Sequence, residues 1–179
     1  MLSRRKFLRF SLGVGAGLAA APVLASVAPP QAGARALSFY NTHTGEHTRA
    51  TYWADGEYVA SELTALDRLL RDFRSGEVAV MDRRLFDILY DLQRLTAASG
   101  TFQVISGYRS PATNAQLRLH SSGVAGNSLH IRGQAIDIRL AGVELRDLHR
   151  AALALRAGGV GYYPSSDFIH VDTGRVRAW

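Results

Sequence analysis

Two segments about thirty residues apart carry the side chains best suited to chemistry: Ser128-Leu-His130-Ile-Arg-Gly133-Gln-Ala135-Ile-Asp137 and Phe168-Ile-His170-Val-Asp172. Together they offer two imidazoles and a carboxylate, His130, Asp137 and His170. A catalytic zinc ion uses such a set: three protein ligands from His, Asp or Glu, with the fourth position left to a water that becomes acidic enough to supply hydroxide near neutral pH. The chemistry this points to is hydrolysis.

Strand alternation groups the same residues. In 134–140, Ile136, Ile138 and Leu140 share one parity while Ala135, Asp137 and Arg139 share the other, as in a strand with one face in the core. In 168–172, Ile169 and Val171 turn inward, and Phe168, His170 and Asp172 turn to the opposite side. If the two strands pair, Asp137 and His170 meet on one surface, and a turn at Gly133 folds His130 back over them. A lone histidine beside a strand is more often a hydrogen-bonded structural residue than a ligand. Matching polar parity in the second segment favours a metal, because ligand type and an open coordination position are then both satisfied.

The elements that must position these residues belong to a chain of 179 residues, which suggests one domain with core enough to fold alone. There is no cysteine, so disulfides, thiolate metal sites, a cysteine nucleophile and a lipoprotein anchor are excluded. The formal charge of +6 is an N-terminal effect: of 21 basic residues, five (Arg4, Arg5, Lys6, Arg9, Arg35) fall in the first 36, leaving 16 against 15 acids. A nearly neutral remainder gives no reason to expect nucleic acid. Residues 1–36 read as a signal peptide: Arg4-Arg5-Lys6-Phe7-Leu8, an apolar Gly/Ala-rich run from Phe10 to Ala25, and Ala-x-Ala motifs at Ala32-Gly33-Ala34 and Ala34-Arg35-Ala36. Adjacent arginines before Phe-Leu resemble the twin-arginine type, which exports folded proteins. The apolar run is shorter than the roughly 20 residues that span a bilayer, which favours cleavage over a permanent anchor. The expected destination is a bacterial periplasm or the cell exterior, with no stable membrane insertion and with the metal loaded before export.

In residues 37–179, Leu37–Tyr40 and Thr48–Trp53 read as a hairpin around Thr44-Gly45. Leu63, Leu66, Leu69, Leu70 and Phe73 then mark one helix, ended by Ser75-Gly76. Leu85, Ile88, Leu89, Leu92 and Leu95 mark a second, capped by Asp82 and closed by Gly100. Asp67, Arg71, Asp87 and Asp91 fall on the outer faces as solvated charges. Phe102–Ile105 is a strand, Pro111 to about Leu119 a short helix capped by Ser110, 121–128 a loop, and Glu144–Ala157 a third long helix stopped by Gly158-Gly159. Val160–Tyr163 and Phe168–Asp172 form a terminal strand pair. Helices early and strands late imply an α+β fold with a small, largely antiparallel sheet.

At these residues the chain resembles a known group. Ser106-Gly-Tyr-Arg109-Ser-Pro, Ser128-x-His130-x-x-Gly133-x-Ala135-x-Asp137 and Phe-Ile-His170-Val-Asp look like the three signatures of the D-Ala-D-Ala carboxypeptidase and hedgehog-like zinc peptidase superfamily. The opening 37–46 and the closing Gly158-Gly-Val-Gly-Tyr-Tyr-Pro with His170-Val-Asp-Thr-Gly resemble its exported murein endopeptidase branch, over nearly the whole of 37–179. The resemblance implies one zinc per chain held by His130, Asp137 and His170. It implies Arg109 beside the metal, where a guanidinium orients a substrate carboxylate or carbonyl and stabilises the oxyanion; a loop arginine making surface hydrogen bonds is the competing role. The implied substrate is the stem peptide of peptidoglycan, cut at a cross-link amide, in which the D-centre of diaminopimelate and ordinary D-Ala links are both open. Apart from the resemblance, a monomer is expected.

Many relatives place Glu three residues before the last ligand, or His two before it; here those positions are Asp167 and Phe168. Phe168 cannot move a proton. Asp167 has the wrong parity unless a bulge turns it inward, so Asp172, of the right parity, is preferred, either as a base acting through water or as a partner that orients a histidine. His43, His47, His120 and His149 are expected in local packing or surface roles. Tyr108, Tyr162, Tyr163 and Trp179 either line a groove or pack at its rim. Two other functions compete: a carboxypeptidase trimming a terminal residue, which needs a second cationic clamp, and a non-catalytic wall-binding module, for which an open three-ligand zinc site would be costly scaffolding.

Overall fold

The computed structural model describes residues 33–120 and 123–179. The signal-peptide reading falls largely on 1–32, outside the described residues. The chain runs β1 (Arg35–Asn41), β2 (His47–Ala54), β3 (Glu57–Tyr58), α1 (Ala60–Leu69), α2 (Arg83–Leu95), β4 (Phe102–Ser106), α3 (Pro111–His120), β5 (Ala135–Leu140), α4 (Leu145–Leu155), β6 (Gly159–Tyr163), β7 (Phe168–Asp172) and β8 (Arg177–Ala178). β1 therefore starts two residues before the expected domain boundary.

The eight strands among the described residues share one sheet, ordered β3-β2-β1-β4-β5-β7-β6-β8. β1 with β4 and β6 with β8 pair in parallel, while the other five pairings are antiparallel. This is the α+β, largely antiparallel arrangement expected, widened by two-residue strands too short to leave a periodic signal. The alternation holds: Leu37, Phe39, Phe102, Val104, Ile136, Ile138, Ile169 and Val171 enter the core with Leu66, Leu85, Phe86, Leu89 and Leu148 from the helices. Burying such a side chain contributes about 1.5–3 kcal/mol, so the core fixes strand parity and hence which residues reach the other face. No helix among the described residues is long and apolar enough to cross a membrane.

Helix ends differ from the expectations for reasons of local chemistry. α1 stops at Leu69 although apolar spacing continues to Phe73, because Asp72 claims the chain for a turn: its Oδ1 accepts from Arg74 N (3.0 Å) and its Oδ2 from Ser110 N (2.9 Å). Phe73 instead stacks on His43, with centroids 3.8 Å apart. α2 has Asp82 as its cap, but Ala97 rather than Gly100 takes the left-handed conformation after it. α4 ends on left-handed Arg156, and Gly158 and Gly159 serve close packing against Asp172. Asp87 is no solvated charge: Arg35 Nη1 (2.7 Å), Tyr52 OH (3.2 Å) and Tyr58 OH (2.6 Å) all donate to it, tying the start of β1 to α2. Asp67 accepts from Met81 N, Arg71 pairs with Glu46, and Asp91 is exposed.

Candidate metal centre

Asp137 on β5 and His170 on β7 are direct partners in the antiparallel register, so their side chains leave the sheet side by side. His130 arrives from a single 3-10 turn, Leu129–Arg132. Ser128 Oγ accepts from His130 N to open that turn, and Gly133, at φ 66°, closes it. A Cβ at Gly133 would sit 2.5 Å from the carbonyl oxygen of Val80, and the Gly133 carbonyl in turn accepts from Asp82 N (2.8 Å), so the bend is fastened to the entry of α2.

The three side chains converge. His130 Nε2 lies 3.2 Å from His170 Nδ1 and 3.3 Å from Asp137 Oδ1, and His170 Nδ1 lies 2.8 Å from Asp137 Oδ1. The outer ring nitrogens decide what faces inward. His130 Nδ1 stands 2.7 Å from the Gly107 carbonyl oxygen, which only accepts, so Nδ1 carries the hydrogen and Nε2 presents a lone pair. His170 Nε2 stands 3.0 Å from Asp172 Oδ2, so it donates there and Nδ1 presents a lone pair. Two lone pairs and a carboxylate oxygen thus share one small volume, an arrangement that favours a cation. A tetrahedral ion with bonds of about 2.0–2.1 Å spaces its ligand atoms about 3.3 Å apart, close to the triangle seen. These residues fit a zinc ion.

Burial sharpens the electrostatics, since His130, Asp137 and His170 are only 3%, 7% and 8% exposed. Burial pushes the Asp137 carboxyl up, but His130 and His170 outweigh it and hold the group well below the usual carboxylate range. Burial pushes the His170 imidazole down, but Asp137 and Asp172 prevail and raise it. A place that keeps a carboxylate charged and favours a proton on its neighbour favours positive charge.

Asp172 is fully buried and faces away from the cavity. Its Oδ1 accepts from Gly159 N (3.0 Å), Gly174 N (2.9 Å) and Arg177 Nη1 (3.1 Å), and its Oδ2 from Arg177 Nη2 (2.7 Å) as well as His170. Burial opposes its ionisation, yet these hydrogen bonds hold it well below the usual range. Asp167 is exposed, takes a left-handed conformation at φ 53°, and pairs with Arg139. Neither carboxylate lines the cavity next to the three convergent residues.

That cavity, about 450 Å³, is lined by His130, Asp137 and His170 together with Arg109, Arg177, Tyr163, Phe168, Trp179 and the loop 123–129. Arg109 is held by Nη1 to Asn114 Oδ1 (3.2 Å) and Nη2 to Ser106 Oγ (3.4 Å), while its buried Nε has no protein partner. Burial lowers its pKa, with Asp137 and Asp72 acting the other way. Tyr163 and Trp179 reach the cavity; Tyr108 and Tyr162 pack against the core. Away from the site, His43 contacts the Ile105 carbonyl, His47 stacks on Tyr40, His149 stacks on Tyr162, and His120 ends α3 exposed. Sequence reasoning missed Arg177, Gly159 and the Gly107 carbonyl. Only Arg177 left a trace, as a charged residue five places after Asp172 near the chain end.

Comparison with known proteins places these features in a context. The profile of the family described as peptidoglycan L,D-endopeptidase MepK matches residues 30–179. The chain is 43% identical over 178 residues to the peptidoglycan L,D-endopeptidase MepK of Escherichia coli K12, covering 99% of this chain and 97% of the relative. It is 45% identical over 180 residues to the probable peptidoglycan L,D-endopeptidase MepK of Haemophilus influenzae, covering 99% and 95%.

Proposed function

Because this chain belongs to the peptidoglycan L,D-endopeptidase MepK family, we propose that it is a zinc peptidase that hydrolyses peptide cross-links of the bacterial cell wall. The observation that carries the reading is the meeting of His130 Nε2, Asp137 Oδ1 and His170 Nδ1 at mutual distances of 2.8–3.3 Å on a cavity wall. His130, Asp137 and His170 would hold one zinc ion per chain, which would supply Lewis acidity at this wall of the cavity.

The chain's own residues do the rest. Gly107 and Asp172 hold the two imidazoles in the tautomers that aim their lone pairs inward. Arg109, fixed by Asn114 and Ser106 on the cavity wall, holds a substrate carboxylate or the scissile carbonyl and stabilises negative charge as it develops. Asp172, with both oxygens occupied by five donors, positions His170. Asp167, exposed and paired with Arg139 outside the cavity lining, is the other candidate carboxylate for proton transfer. The protein works as a monomer outside the cytoplasmic membrane, exported through a twin-arginine-type signal that lies outside the described residues.

Purified protein lacking residues 1–32 is incubated with dimeric muropeptides, with and without a chelator, and its zinc content is compared with that of His130→Ala, Asp137→Ala and His170→Ala. Division at the bridge, blocked by the chelator, supports the endopeptidase. Release of single terminal residues supports a carboxypeptidase, and binding without cleavage a wall-binding module. Full zinc in any of the three variants removes that residue from the ligand set.

A further inference from the structure

We infer that the last residue of the chain, Trp179, together with Tyr163 and Phe168, forms a substrate wall that packs against the aliphatic segment of the residue flanking the scissile amide; this rests on the endopeptidase reading. Trp179 is 51% exposed, yet its position is fixed from several sides. Its backbone N donates to Val160 O (3.2 Å) and its carbonyl accepts from Tyr162 N (3.1 Å), extending the β6–β8 pairing to the end of the chain. Its indole Nε1 donates to Tyr163 OH (2.8 Å), its ring lies 5.2 Å from that of His170, and the Arg177 guanidinium stands 4.8 Å from the indole. The ring of Tyr163 stacks on Phe168 at 4.7 Å, so the aromatic surface continues from Trp179. All three residues line the cavity that holds His130, Asp137 and His170.

The fold keeps room for this wall. A Cβ on Gly161, the register partner of His170, would lie 2.7 Å from Trp179 Cε2 and 2.8 Å from Tyr163 Cε2. A large apolar ring held open to water, with its one polar atom already satisfied, gains when an apolar group covers its free face. The neighbouring groups specify that group further. Arg109 is a cation that lines the same cavity, so a ligand that uses both features is an aliphatic chain ending in a carboxylate. Stem-peptide residues with methylene chains between charged ends have that form.

Kinetics on dimeric muropeptides and zinc content are measured for wild type, Trp179→Ala and Trp179→Phe. Trp179→Ala raises KM about tenfold or more with kcat within about threefold and zinc unchanged, and Trp179→Phe restores most of the affinity. An unchanged KM overturns the wall; so does loss of kcat together with zinc, which would make Trp179 a support for His170. In Trp53→Phe, which leaves Trp179 as the sole tryptophan, titration with a stem tetrapeptide shifts the emission, and a flat titration also overturns the proposal. If wild type leaves the muropeptides whole, the endopeptidase reading fails, while the titration still decides the wall.

Discussion

Replacing Asp172 by Asn changes almost no volume and tests the network behind the metal site. The carboxylate takes three donors on Oδ1 and two on Oδ2. An Asn carbonyl placed at Oδ1 keeps the larger set, which leaves an NH2 facing Arg177 Nη2 and His170 Nε2, donor against donor. Arg177, with 30% of its side chain exposed, can turn part of its charge to water. His170 can relieve the clash only by moving its hydrogen to Nδ1, which removes the lone pair aimed at Asp137 and His130. One buried group left unsatisfied costs about 1–3 kcal/mol, and loss of a buried ion pair about 3–5. With Arg177 half relieved by solvent, we expect Asp172→Asn to lose about 2–4 kcal/mol of folding stability. Zinc affinity should fall about 10–100-fold, as when the outer hydrogen bond of a ligating histidine is lost. Urea melts in excess chelator read the folding loss apart from the metal, and competition against a chromogenic chelator reads affinity. A variant that binds zinc within about threefold of wild type but has lost turnover would refute this reasoning and return Asp172 to proton transfer.

Asp72 supports the loop that carries Arg109. Burial opposes its ionisation, but hydrogen bonds from Thr113, Ser110 and Arg74 lower its pKa from 3.8 to about 2. Its contribution, about 2 kcal/mol, is therefore present above pH 4 and fades as pH falls toward 2. Wild type and Asp72→Asn should differ by that amount in urea melts at pH 6 and converge near pH 2; an equal gap at both pH values counts against it. Zinc at 100 times its Kd should add about 2.7 kcal/mol, so chelation should lower the wild-type melting temperature by about 5–11 °C and leave His130→Ala unmoved. Arg35 binds Asp87 and lies over Trp53 and Tyr90 at 5.1 and 5.6 Å, so processing after Ala34 preserves an anchor that processing after Ala36 would remove. Intact mass of the exported protein should show Arg35 retained, and Arg35→Ala should cost about 1 kcal/mol, limited by solvent at a partly exposed pair.

His130, Asp137 and His170 were legible because each lies in a segment whose own pattern fixes its direction: two strands with unambiguous parity, and a turn forced by Gly133. Asp172 had the correct parity, but its role did not follow from parity. Arg177 and Gly159 surround it only because a two-residue strand, β8, adds in parallel to β6, and two residues carry no period to read. Asp87 shows the converse. Helical spacing put it on a polar face, and the face is polar, but Tyr52, Tyr58 and Arg35 from the first three strands cover it. Sequence periodicity states which way a side chain points and is silent on what arrives from elsewhere in the chain.

The same parity makes the chemistry depend on the core. Along β5 and β7, the two metal-site residues each sit between two that are buried among the helices: Asp137 between Ile136 and Ile138, His170 between Ile169 and Val171. A slip of one residue would bring aliphatic side chains to the cavity and send a carboxylate and an imidazole into the core, where an uncompensated charge costs far more than one apolar contact contributes. The packing that makes the fold stable is thus what excludes the alternative register. Conservative changes in these core residues, such as Ile138→Val, should therefore lower stability by about 0.5–1.5 kcal/mol while leaving zinc stoichiometry intact, because they weaken the strand without offering its other face a better place.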